Sequence, residues 1–290
     1  MDTERTYGEV ATRARDSFQG VERLPGARKH DPILTADNIR REFGGIVAVN
    51  VDHFEVQKGS ITALIGPNGA GKTTFFNLLT GFDQPNSGDW NFNGKAMNGV
   101  ASHRTAALGM VRTFQLTKSL TKLSVIENMR LGATDQKGEK WWNGLFAAVW
   151  KGQEAEITER ADELLARFKM DHMRDEYAGS LSGGQRKLLE MARVLMTNPT
   201  LVMLDEPMAG VNPALKQSLN QHIRGLRDDG MTVLFVEHDM DMVHDVSDWV
   251  IVMAEGRIIA EGTPDDISSN PAVIDAYLGT RQGQSLLEGE

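Results

Sequence analysis

"SITALIGPNGAGKTTFFNLL", Ser60 to Leu79, decides the fold. "SITALI" reads as a buried strand, Gly66 opens a glycine-rich loop, and "KTTFFNLLTGF" begins a helix that stops near Gly81. Strand, loop and helix in that order are the setting a phosphate loop requires. Gly66 to Thr74 fits the spacing G-x-x-x-x-G-K-[ST]. Glycines let the backbone turn several N–H groups toward phosphate oxygens. Lys72 stands where it reaches the β- and γ-phosphates, and the Thr73 hydroxyl where it coordinates Mg²⁺. The candidate cradle is therefore Gly66, Pro67, Asn68, Gly69, Ala70, Gly71, Lys72, Thr73 and Thr74, with a nucleoside triphosphate and Mg²⁺ as its ligands.

Working outward, "TLVMLDEP" is an apolar run of the kind found in a central parallel strand covered on both faces. It delivers Asp205 to the strand's C-terminal end, where an open α/β sheet binds its ligand. Asp205 is placed to hold the metal through water and Glu206 to act as general base. "MTVLFVEHD" repeats the pattern and ends in His238, which reads either as a structural histidine or as a group aimed at the γ-phosphate. In "GSLSGGQRKLLE", Gly179 to Glu190, a Ser-Gly-Gly turn runs into a helix start and makes a second anion-binding element. Gln115, in "VRTFQ", is by itself the weakest of these signals.

Alternating strands and helices imply an α/β core with a parallel sheet. Between Ile33 and Gly59 two or three short strands are expected, with a turn at Gly44-Gly45. The section from Leu116 to Ser180 reads as mostly helical, with Ile157, Ala161, Leu164, Leu165 and Phe168 on one face. Thr263-Pro264 and Asn270-Pro271 each read as an N-cap followed by proline at the first helical position. Residues 1–30 read as a flexible tail, 31–280 as one ATPase domain, and 281–290 as a second tail.

The 290 residues carry a net charge of −9, which argues against a nucleic-acid partner. The absence of cysteine excludes disulfides and thiolate metal sites. No apolar run approaches the roughly 18–20 residues that span a bilayer, and Trp141 to Trp150 is too short and interrupted. The first twenty residues lack the apolar region of a signal peptide, so a soluble protein is expected, one that meets a membrane through partners.

Taken in order, Gly66 to Thr74, Gln115, "LSGGQ" at Leu181 to Gln185, Asp205-Glu206 and His238 resemble the nucleotide-binding subunit of an ABC (ATP-binding cassette) transporter. The resemblance runs from about residue 33 to 280. "VRTFQ", "SVIENM", "MAGVNP", "EHDMDMV" and "GTPDDISSNPAVIDAYLG" are similar to the ATPase subunits of branched-chain amino acid importers. Asn212 stands where the wider family commonly has aspartate, and that subfamily tends to share the asparagine.

The resemblance implies a P-loop NTPase fold: a RecA-like parallel sheet core, an antiparallel β subdomain, and an inserted α-helical subdomain over about 116–184. It implies ATP and Mg²⁺ as ligands, Lys72, Gln115, Glu206 and His238 as catalytic groups, and Thr73, Gln115 and Asp205 at the metal. Ser182, Gly183, Gly184 and Gln185 would cover the nucleotide of a second ATPase subunit, identical or a sister chain. Phe43 would stack on adenine, although it also reads as a core phenylalanine. The remaining partners implied are transmembrane permease subunits and, indirectly, a solute-binding protein, with the chain on the cytoplasmic face of the membrane. The Trp141 to Trp150 run would pack on the permease or bilayer surface, or cover its own subdomain. A lipid or lipopolysaccharide exporter ATPase, or an ABC ATPase outside transport, would carry a similar motif set.

Overall fold

The computed structural model describes residues 10–113, 120–133 and 147–278. A helix over residues 10–16, α1, precedes β1 (Pro32–Phe43) and β2 (Ile46–Gln57). Next come β3 (Ile61–Ile65), α2 (Lys72–Leu79), β4 (Ser87–Phe92), β5 (Lys95–Ala96), α3 (Ser102–Ala107) and β6 (Met110–Arg112). The helices α4 (Val125–Arg130), α5 (Ala147–Arg167) and α6 (Gly183–Leu195) lead to β7 (Leu201–Asp205), α7 (Pro213–Asp228) and β8 (Thr232–Val236). The chain continues through α8 (Met240–Val246), β9 (Trp249–Ala254), β10 (Arg257–Gly262), α9 (Pro264–Ser268) and a helix over 271–278, α10.

Two sheets form. In the larger, the order is β10-β9-β3-β8-β7-β6, parallel throughout except for the β9–β10 pair. All five residues of β3, β7 and β8 are buried, as their unbroken apolar runs demand. The two-residue period of a strand then divides their side chains between two cores. Ile61, Ala63, Ile65, Val202, Leu204, Val233 and Phe235 face one core, with residues of α4 to α8. Leu64, Leu201, Met203, Leu234 and Val236 face the other, with α2 and the smaller sheet.

The smaller sheet, β2-β1-β4-β5, is antiparallel. Where two or three short strands are expected, the structure has two strands of 12 residues each, turning at Gly44 and Gly45 with φ of +54° and +88°. Positive φ at both turn residues matches the twist of a tight hairpin and favours glycine. The expected face of α5 holds, with Ala161, Leu164, Leu165 and Phe168 buried and Ile157 half-buried.

The tail expected over residues 1–30 is corrected from residue 10 onward. Ala14, Phe18, Val21 and Ala27 are buried. The Phe18 ring stacks on Trp249 at 4.7 Å and 7°. The buried Lys29 ammonium pairs with Glu261, which also accepts from Trp249 Nε1 (2.9 Å) and Ala27 N (2.6 Å). Ala14, Phe18 and Val21 keep an i, i+4, i+7 spacing, but three positions in a polar stretch are too few to mark a buried face, and their burial depends on contacts with β9 and β10. Residues 1–9 and 279–290 lie outside the described part, as do Gln115 and the side chains of Trp141 to Trp150.

Candidate active site

The loop after β3 is shaped by crowding. Gly66 (φ +148°) and Gly71 (φ +95°) lie so close to neighbouring strands that a Cβ would sit 2.0 Å from Met253 O and 2.3 Å from Ala48 O, respectively. Glycine is thus required at both ends of the loop. Gly71 caps α2 without a side-chain bond, and no acidic residue occupies the first turn. The first N–H groups of the helix are left for an anion. Lys72 Nζ donates to Gly66 O (2.7 Å) and Pro67 O (2.9 Å), and burial lowers its pKa against the pull of Glu206. Thr73 is exposed on the first turn.

Asp205 ends β7 with Glu206 just beyond it, and His238 follows β8, which lies between β7 and the loop-bearing strand β3 in the sheet order. Glu206 has φ +46°, a left-handed backbone that costs a non-glycine residue about 1–3 kcal/mol and clusters at functional sites. Its N–H donates to Val236 O (3.0 Å), and Oε1 lies 3.0 Å from His238 Nε2. The structure therefore brings Lys72, Glu206 and His238 together. Phe43, at the end of β1, is 47% exposed with the Arg41 guanidinium 4.4 Å from its ring centre, so the core alternative fails. Gln115 is the predicted site residue outside the described residues.

"LSGGQ" forms the start of α6. Ser182 is its N-cap, accepting from Gln185 N (3.3 Å) while Gln185 Oε1 accepts from Ser182 N (2.8 Å). Ser182 and Gly183 are exposed. Asn212 caps α7 by accepting from Leu215 N (2.9 Å), a role aspartate would fill equally well.

Three further residues escape motif reading. Arg112 holds Asp205 Oδ2 (2.5 Å) and also donates to Asn77 Oδ1 of α2 (2.6 Å). Glu237, buried, accepts from Met208 N (2.6 Å) and His238 N (2.9 Å). Lys187 donates to Glu206 O and Pro207 O, each at 2.9 Å. A charged residue next to a motif was the available signal, but Asp205, Met208 and Glu206, the partners that matter, lie too far along the chain for spacing to reveal.

Mg²⁺ suits this donor set. A hydroxyl and one carboxylate are hard oxygen donors, and Mg²⁺ commonly completes its shell with phosphates and water. Among the described residues no cluster of three or more His, Asp or Glu offers an all-protein cage.

A sequence profile described as "ABC transporter" matches residues 49–209. The chain belongs to the ABC transporter family. A second profile, "Branched-chain amino acid ATP-binding cassette transporter", matches residues 257–282 of this ABC protein. The chain is 42% identical over 252 residues to a probable branched-chain amino acid transport ATP-binding protein LivG of Archaeoglobus fulgidus, covering 87% of this chain and 97% of that one. It is 40% identical to the high-affinity branched-chain amino acid transport ATP-binding protein BraF of Pseudomonas aeruginosa, over 86% and 98% of the two chains. A crystal structure of the ADP conformation of an ATP-binding cassette of an ABC transporter superposes with a TM-score of 0.74 at 38% identity, over 86% and 99% of the chains. The protein is an ATP-hydrolysing subunit of an ABC transporter with a P-loop NTPase fold. No helix among the described residues is long and apolar enough to cross a membrane.

Proposed function

We propose that this subunit powers the import of branched-chain amino acids or similar small solutes, working as a dimer on the cytoplasmic face of permease subunits that receive solute from a binding protein. The observation that carries the catalytic part is the convergence of Lys72, Glu206 and His238 at one sheet edge. The match of residues 257–282 and the names of the relatives support branched-chain amino acid import over a lipid exporter or an ABC ATPase outside transport.

ATP lies with its phosphates against the loop N–H groups of Gly66 to Thr74. Lys72 exchanges the carbonyls of Gly66 and Pro67 for phosphate oxygens. Phe43 offers an exposed ring for adenine. Glu206 accepts the proton of the attacking water, and His238 orients its carboxylate and faces the γ-phosphate. Thr73, Asp205 and Gln115 would hold Mg²⁺, and the ion would supply positive charge against the transferring phosphoryl group.

Ser182, Gly183, Gly184 and Gln185 close on the nucleotide of the second subunit, identical or a sister chain, and hydrolysis opens the interface. Leu120, Leu131 and Tyr177 are exposed in the helical section, where the Ser124–Tyr177 bridge joins two segments, and offer apolar side chains to the permease. The inserted helical subdomain over about 116–184 carries these side chains. Glu206→Gln should cut ATP turnover by about 10²–10⁴-fold while an ATP-bound dimer accumulates on size exclusion. Turnover at the wild-type rate in that variant would overturn the mechanism.

A further inference from the structure

Lys187 stands in the second turn of α6, the helix that opens with Ser182 to Gln185. Its ammonium is turned inward, donating to the carbonyls of Glu206 and Pro207. The side chain is half-buried, and neighbouring Glu237, Glu190 and Glu206 offset the burial that lowers its pKa. The turn it grips is the strained one. Glu206 sits at φ +46°, a conformation that persists only where its surroundings over-determine it.

Within the turn Glu206 O accepts from Ala209 N (3.1 Å), and further contacts reach it from other elements. Val236 O at the end of β8 accepts from Glu206 N, Glu237 Oε1 accepts from Met208 N, and Lys187 Nζ donates to the two intervening carbonyls. The first two come from β8 and the residue after it. Lys187 comes from the helix that carries the second anion-binding element. Without it, two carbonyls in a partly buried turn lose a charged donor, and the turn can relax toward ordinary φ, carrying the Glu206 carboxylate off its line.

We propose that Lys187 is a positioning residue for Glu206, fixing the left-handed turn that aims the carboxylate and doing so from the signature helix. This rests on the reading of Glu206 as general base. A misplacement near 1 Å costs about 10²-fold in rate, so Lys187→Met in the full chain should lower kcat by about 10- to 100-fold. The KM for ATP and the affinity for ATP in the absence of turnover should stay within about 3-fold, because the cradle at Gly66 to Thr74 is untouched. Lys187→Arg, which keeps a charged donor, should recover most of kcat.

A Lys187→Met chain with kcat within about 2-fold of wild type, beside an inactive Glu206→Gln, would overturn the inference alone. So would a loss confined to KM and ATP affinity, or a failure of Lys187→Arg to recover kcat. Full activity in Glu206→Gln would overturn the reading of the base and this inference with it. Should Lys187→Met fail to fold, Lys187→Gln is judged by the same kcat and KM split.

Discussion

Two helix starts in this molecule are glycine-rich, and they are built in opposite ways. At α2 the glycines are forced by the chain's own backbone: Ala48 O and Met253 O occupy the space a side chain would need at Gly71 and Gly66. No side chain caps that helix. At α6, Ser182 and Gln185 satisfy each other's backbone N–H groups, and a Cβ at Gly183 would meet nothing within 4 Å. The first start is finished inside one chain and leaves its N–H groups for an anion. The second is an ordinary capped surface helix until something from outside approaches. An anion site of which half is crowded into place and half is merely exposed is what a nucleotide shared between two subunits requires.

The comparison breaks most visibly at Gly71. Gly71→Ala puts a methyl against a backbone carbonyl at positive φ and should cost about 2–4 kcal/mol of stability. ATP affinity should fall at least ~100-fold, by calorimetric titration, and a fully binding Gly71→Ala chain would refute the crowded-cradle account. Gly184→Ala comes next: its Cβ would lie 1.9 Å from Leu215 Cδ2, the end of a side chain that can rotate away, so about 1 kcal/mol is expected by urea denaturation. Ser182→Ala removes an exposed cap and should cost about 0.5–1 kcal/mol, with Ser182→Asn restoring stability. ATP hydrolysis should fall in both Ser182 variants while ATP binding by the isolated chain is retained.

Smallest is Gly183→Ala, whose stability should lie within about 0.5 kcal/mol of wild type. Under the proposed dimer its hydrolysis should nonetheless fall, since the added methyl would stand between this helix start and the partner's nucleotide. Undiminished hydrolysis there would remove the functional difference between the two helix starts.

The phosphate loop, the strand ends at Asp205 and His238, and the start of α6 were legible because each is local. A loop that needs glycine, a strand that is apolar on both faces and an N-cap all leave their mark within about ten residues. The packing of residues 10–30 was not legible. Phe18 meets Trp249 and Lys29 meets Glu261 across more than two hundred residues, and neither pair leaves a period in the sequence. Arg112 and Lys187 were missed for the same reason: each is an ordinary surface residue by composition, and its partner lies at or just past the end of β7.

By itself the sequence determined the glycine loop between a buried strand and a helix, which strands are covered on both faces, and where the main helices begin. Backbone sterics and the two-residue period of buried strands act at short range, so they are written into neighbouring residues. Tertiary structure alone decided the left-handed backbone of Glu206, its pairing with His238, and the grip of Lys187 on its carbonyl. These depend on bringing β7, β8 and α6 side by side, and that juxtaposition follows from closing the core as a whole rather than from any one segment.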